Sequence, residues 1–238
     1  MILNVKDMHS YYGKSHILQG VDLALAPGKM ACLLGRNGVG KSTTLKSIMG
    51  LVRPRRGNVI FKDEDIRGRE PYQIARRGLG YVPEERRIFK SLTVHENLLI
   101  GIKKPPTGSR GEIWTVERIF ESFPRLEERR NLKGGFLSGG EQQMLTIART
   151  LMGNPELILV DEPTEGLAPL VAEAVLEMLA TISATGMAIL LVEQNYKAAL
   201  KLAQEFFIMS KGRIVFQGDR SELVAAEEVR HKYLEVYD

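Results

Sequence analysis

A chain of 238 residues, 44% hydrophobic and 26% charged, has an ordinary globular composition and length for one substantial core with a smaller appended lobe. No apolar run approaches the roughly 20 residues that a membrane-spanning helix needs. The net charge is only +4, and the basic runs, "RPRR" at 53–56 and the two "EERR" segments, lie near acids without an aromatic ladder. They read as solvated surface rather than as contacts to acidic lipid, and nucleic acid is not expected as a partner.

Residues 1–30 alternate in the manner of antiparallel strands, through "ILNVKDMHSYYG" and "HILQGVDLALAPG". The start lacks the basic-then-apolar layout of a signal peptide, and the single Cys32 has no internal disulfide partner; an intracellular protein is expected. "KMACLLG" reads as a buried strand with Cys32 in the core, and Lys41 to Met49 as a helix after a glycine loop. "GNVIFKDEDI" resumes the strand pattern and "PYQIARRG" is a short helix opened by proline. From about Ser91 to Asn154 the periodicity is helical, interrupted by the loop "KKPPTGSRG". "ELILVDE" is then a strand, Ala168 to Ser183 a helix, "MAILLVE" a strand and Tyr196 to Ala203 a helix. A hairpin turning at Lys211-Gly212 and two short amphipathic helices complete the chain. This alternation predicts an α/β fold with a parallel core, in which 1–85 and 155–238 form the core with its antiparallel strands and 86–154 an inserted helical lobe.

"GRNGVGKST" fits G-x-x-x-x-G-K-[ST] between a strand and a helix. In such a loop, Gly35, Arg36, Asn37, Gly38, Val39 and Gly40 present backbone N–H groups to a polyphosphate, and the following helix N-terminus adds positive potential. Lys41 can reach the β- and γ-phosphates, Ser42 can ligand Mg²⁺ through its hydroxyl, and Thr43 completes the nucleotide-binding set. "LILVDE" ends a strand in two carboxylates: Asp161 is suited to holding Mg²⁺ through its water shell, Glu162 to polarising an attacking water. "LSGGEQQ" offers a second glycine-rich helix start, with Ser138 as a natural N-cap ahead of Gly139, Gly140 and Glu141.

With these strings in hand, the chain resembles the ATP-binding subunit of ABC transporters over essentially its whole length. The resemblance implies a P-loop NTPase fold with a RecA-like parallel sheet, an antiparallel β subdomain and an α-helical signature subdomain. It further implies ATP and Mg²⁺ as cofactors, and a head-to-tail dimer. In that dimer the Ser138-Gly139-Gly140-Glu141 helix end of one subunit closes on ATP held by the other. Tyr12 matches the aromatic that stacks on adenine, with Tyr11 the alternative.

Three positions depart from the general family pattern: Gln194 where a histidine usually contacts the γ-phosphate, Glu84 where a glutamine usually touches the metal, and Ala168 where an aspartate usually crosses the dimer interface. The strings "VPEERRIF", "GLAP" and "VEQN" are similar to the branched-chain amino-acid importer ATPases, of the shorter LivF type. Membership there implies a second ATPase subunit, two membrane permease subunits, an extracytoplasmic solute-binding protein, and a peripheral position on the cytoplasmic face of the membrane. Glu162 is then the base and Gln194 a neutral phosphate donor. Phe89 and Leu92, rimmed by Arg86 and Arg87, are expected to receive a cytoplasmic helix of the permease. Related urea or amide importers remain an alternative. A soluble ABC protein is disfavoured by the single cassette, and a P-loop kinase by "LSGGEQQ". His9 and His95 are read as lone histidines and Trp114 as a packing residue.

Overall fold

The computed structural model describes residues 1–104 and 113–234, so most of the "KKPPTGSRG" loop lies outside the described residues. β1 (Leu3–Tyr12) and β2 (Ser15–Leu25) form the first hairpin, followed by β3 (Met30–Leu34), α1 (Lys41–Ile48), β4 (Arg56–Phe61) and the short β5 (Glu64–Asp65). α2 (Pro71–Arg76) leads into β6 (Leu79–Val82), which the sequence reading did not anticipate: its one glycine and four-residue length leave too little periodicity to register. A helical stretch follows, α3 (Val94–Gly101), α4 (Val116–Ser122), α5 (Pro124–Glu128) and α6 (Gly139–Leu151). The chain then runs β7 (Leu157–Asp161), α7 (Pro169–Ala184), β8 (Ala188–Glu193), α8 (Tyr196–Leu202), β9 (Glu205–Ser210), β10 (Arg213–Asp219), α9 (Arg220–Ala225) and α10 (Glu227–Tyr233).

Two sheets organise these elements. The antiparallel sheet has the order β2-β1-β4-β5, and the larger one β10-β9-β3-β8-β7-β6, parallel except for β10. β3, β7 and β8 are buried at every position, as expected of parallel strands covered on both faces. The pleat divides their side chains. Cys32, Leu34, Ile158, Val160, Ile189 and Leu191 join the core with α6 and α7. Ala31, Leu33, Leu157, Leu159, Leu190 and Val192 face the antiparallel sheet and α1. Burial pushes the Cys32 thiol far above its ordinary value, in keeping with an inert core cysteine.

The parallel register brings the carboxyl ends of β3, β7 and β8 to one edge, where α/β sheets bind ligands. The loop after β3 is braced there by the β9–β10 turn. Lys211 and Gly212 both have positive φ, 48° and 75°, the pattern of a tight two-residue hairpin. Gly212 N–H donates to Val39 O (2.9 Å) in the glycine loop, and its carbonyl accepts from Gln19 N–H (2.8 Å) in β2. A Cβ at this position would lie 2.0 Å from Ile17 O. Gly212→Ala is therefore expected to destabilise the fold by about 1–3 kcal/mol, from a left-handed alanine plus the backbone clash. Urea unfolding measures this; an unchanged midpoint would show that the contact with β2 does not constrain the turn.

Candidate functional site

Gly40 supplies the N-cap of α1 with φ 114°, a conformation L-residues avoid, and Lys41 opens the helix. The Lys41 ammonium is almost wholly buried, its side chain 2% exposed. Its partners are the carbonyls of Gly35 (2.8 Å) and Arg36 (3.0 Å) and the carboxylate of Glu162 (3.0 Å). Glu162 follows directly on β7, at φ 41°, with its N–H bonded to Val192 O of the neighbouring strand. A left-handed glutamate is a strained conformation, held here by that cross-strand bond and by the lysine. Its other oxygen accepts from the Gln194 amide, so the residue after β8 is linked to the residue after β7.

The electrostatics follow from this crowding. Burial works to raise the Glu162 carboxyl, but hydrogen bonds from Glu165, Gln194 and Lys41 and the lysine charge overcome it and hold it below its ordinary value. Glu165, three residues on, moves the opposite way. Its hydrogen bond with Glu162, then burial and the charges of Glu162 and Glu84, push it up to about 7. Asp161 ends β7, 1% exposed. Burial raises its carboxyl against the opposing Ser42 and Tyr81 hydroxyls. Tyr81 of β6 donates to Asp161 Oδ2 at 3.1 Å, while Oδ1 is buried without a hydrogen-bond partner among the described residues. A buried anionic oxygen with spare acceptor capacity is unusual in a protein interior and fits a hydrated divalent cation.

Tyr12, Asn37, Gly38, Gly40, Lys41, Ser42, Thr43, Glu84 and Glu162 line one cleft of about 390 Å³, together with Ile17 and Glu165. Gly35, Arg36 and Val39 contribute backbone to the same loop. The Tyr12 ring is 49% exposed in this cleft, whereas Tyr11 stacks on His16 (4.2 Å, 7°). Ser138, Gly139, Gly140 and Glu141 do not line the cleft. They open α6, where the exposed Ser138 accepts from Glu141 N–H and Glu141 returns a bond to Ser138 N–H. Gly140 lets α6 meet α7 closely, since a Cβ there would sit 2.0 Å from Val171 Cγ1. Ala168 is the N-cap of α7.

Other side chains differ from their sequence reading. Arg86, expected at the rim of a docking groove, also turns inward: its guanidinium lies against Gly139 and donates to Glu165 O, with the backbone at φ 33°. Arg87 does stay outside, paired with Glu85. Phe89 is 48% exposed beneath the Arg149 guanidinium, on a loop fixed by the buried Asn97 amide; Leu92 is half-buried. His9 is not a lone histidine, because its ring nitrogens contact His16 (3.0 Å) and Asp7 (2.9 Å). Even so, no cluster of three or more His, Cys, Asp or Glu suited to a metal ion occurs among the described residues. Trp114 packs against Phe123, and no described helix is long and apolar enough to cross a membrane. Tyr81 and Glu165 were missed; a tyrosine in a short strand carries no motif, while the three-residue spacing of Glu165 from Glu162 was visible in the sequence.

The pattern of the family described as ABC transporter matches residues 18–165 of this chain. A high-affinity branched-chain amino acid transport ATP-binding protein, BraG of Pseudomonas aeruginosa, is 38% identical, with 98% of this chain and 99% of that protein covered. The lipopolysaccharide export system ATP-binding protein LptB of Escherichia coli K12 is 32% identical, over 98% of this chain and 96% of that protein. Among solved structures, a nucleotide-free ATP-binding cassette from an ABC transporter superposes with a TM-score of 0.85 at 29% identity, covering 100% of this chain and 98% of its own.

Lys41 and Glu162 form a buried pair, so removing one partner strands the other. Lys41→Met is expected to cost about 3 kcal/mol, and adding Glu162→Gln to recover most of it. Thermal unfolding of the two single variants and the double variant, in the absence of nucleotide, measures the coupling; additive losses would show that the pair is not formed.

Proposed function

The chain belongs to the ABC transporter ATP-binding family, and from that premise we propose that it energises the uptake of branched-chain amino acids by hydrolysing ATP beneath a pair of membrane permease subunits. The observation that supports the chemistry is the 3.0 Å contact between Lys41 and Glu162, with Asp161 one residue away at the end of β7. Support for the substrate class comes from the 38% identity to BraG across nearly the whole chain, together with "VPEERRIF", "GLAP" and "VEQN". The 32% identity to LptB favours a second reading, an ATPase of an export system, in the same fold.

In the proposed mechanism, the backbone N–H groups of residues 35–43 and the N-terminus of α1 receive the β- and γ-phosphates of ATP. Lys41 exchanges its Glu162 partner for phosphate oxygens. Glu162 is thereby released from its cation while still held by the Gln194 amide; it accepts a proton from the water whose oxygen bonds to the γ-phosphorus as the bond to the β–γ bridging oxygen breaks, leaving ADP and phosphate. Gln194 donates hydrogen bonds only; unlike imidazole it carries no proton between groups. Ser42, Asp161 and Glu84 would hold Mg²⁺, which would supply neutralisation of phosphate charge; Tyr81 orients Asp161 for that role. Tyr12 stacks on adenine, and Ser138, Gly139, Gly140 and Glu141 meet the nucleotide of a second ATPase subunit. The permeases and a solute-binding protein complete the transporter, with this chain peripheral to the membrane.

In the assembled transporter, Glu162→Gln is expected to lower ATP turnover about 10²–10⁴-fold with ATP binding retained, and Gln194→Ala to lower it less. If neither substitution slows turnover, the assignment of the base is wrong. Tyr81→Phe is expected to raise the Mg²⁺ concentration for half-maximal nucleotide binding about ten-fold, read by titration with a fluorescent ATP analogue. Affinity purification from detergent-solubilised membranes, followed by leucine and urea uptake in a deletion strain, separates the importer readings from each other and from export.

A further inference from the structure

The basic run "RPRR" contains one arginine with a structural assignment that surface charge does not explain. Arg55 precedes β4, and its N–H donates to His9 O of β1 at 2.8 Å, which fixes its backbone beside the β1–β2 hairpin. From there the guanidinium reaches the hairpin's end. It sits 4.4 Å from the centroid of the Tyr11 ring, and Nη2 donates to Gly13 O at 2.9 Å. Tyr11 is at the same time stacked on His16. Tyr12 therefore lies between two residues that Arg55 grips, one through its ring and the other through its carbonyl.

Strand pairing and the Tyr11–His16 stack hold the base of the hairpin, but its tip is open. Tyr12 pairs with Ser15, leaving only Gly13 and Lys14 in the loop, with Gly13 at φ 58°. Residues 12–16 are all exposed, and a side chain at Gly13 would meet nothing within 4 Å. An exposed, glycine-containing turn that carries a half-exposed aromatic has many conformations available, and each one removed before binding lowers the entropy lost on binding. We propose that Arg55 is a positioning residue for nucleotide-base recognition: it immobilises the β1–β2 turn so that Tyr12 stands over the cleft as a preformed wall for a purine ring. This rests on the reading of the cleft as an ATP site with Tyr12 at its base end. The cation acts on the protein, not on the phosphates, because the groups it engages are an aromatic ring and a backbone carbonyl.

The distinction is measurable with two probes on the purified chain, ATP and inorganic tripolyphosphate, with affinities taken by calorimetry. Arg55→Ala should raise the Kd for ATP about ten-fold, equivalent to about 1.4 kcal/mol, and leave the Kd for tripolyphosphate unchanged. Arg55→Lys keeps a cation over Tyr11 but loses the planar fork that also reaches Gly13 O, so it should fall between the two. Equal weakening of both probes would overturn the proposal in favour of a general charge or folding effect, and so would an unchanged ATP affinity. Tyr12→Ala reports on the underlying reading. If it leaves ATP binding intact, the base does not rest on this turn and both ideas fall; if it weakens ATP while Arg55→Ala does not, only the role of Arg55 is lost.

Discussion

An ammonium group taken out of water at the edge of a hydrophobic sheet is the constraint around which this molecule is arranged. Lys41 has almost no contact with solvent, and a lone charge in such a place would be prohibitively costly. It is compensated by two carbonyls of its own loop and by a carboxylate from the next strand but one. The compensation dictates positions elsewhere. Glu162 must leave β7 in a left-handed conformation to reach the lysine, and its second oxygen must find Gln194 after β8. Glu165 then shares the neighbourhood of an anion that is already ionised, and its own carboxyl rises in response. Three loops are thus tied together by one cation.

The helical lobe joins this edge through contacts of a different kind. Gly140 permits α6 to touch α7, and Arg86 bridges Gly139 and the carbonyl of Glu165. The glycine-rich start of α6 is consequently placed relative to the loop after β7 by steric fit and one guanidinium. Asn97 does comparable work further out, with its amide satisfying the backbone of residues 89–93 so that Phe89 can remain exposed on an ordered loop. These contacts give the exposed Phe89 and Ser138 fixed relations to the cleft without either residue lining it.

Much of the fold was legible because its determinants are local. Continuous apolar runs at 30–34, 157–160 and 188–192 announce buried parallel strands, the glycine loop announces itself by spacing, and Lys211-Gly212 marks a tight turn. Ser138 as N-cap of α6 was equally plain, since capping depends on residues three positions apart. Apart from Glu165, three residues from Glu162, what escaped is non-local. Tyr81 matters only because β6 lies beside β7, and Arg55 only because β4 lies beside β1. Arg86 was placed at a docking rim by resemblance, and the reach of its guanidinium to the Glu165 carbonyl on a distant loop is not visible in its own segment. His9 found His16 across a hairpin with irregular register, which no alternation pattern reveals.

The brace supplied by the β9–β10 turn has an implication for biosynthesis. The glycine loop at 35–40 emerges from a translating ribosome well before Gly212, whose N–H is the backbone partner of the Val39 carbonyl. Contacts of such long sequence separation close late and slowly. The loop's brace from the β9–β10 turn is thus completed only after the rest of the sheet has been synthesised. Fragments released before the final hairpin are left with a glycine loop that lacks this brace, and lose whatever rigidity it gives to residues 35–40.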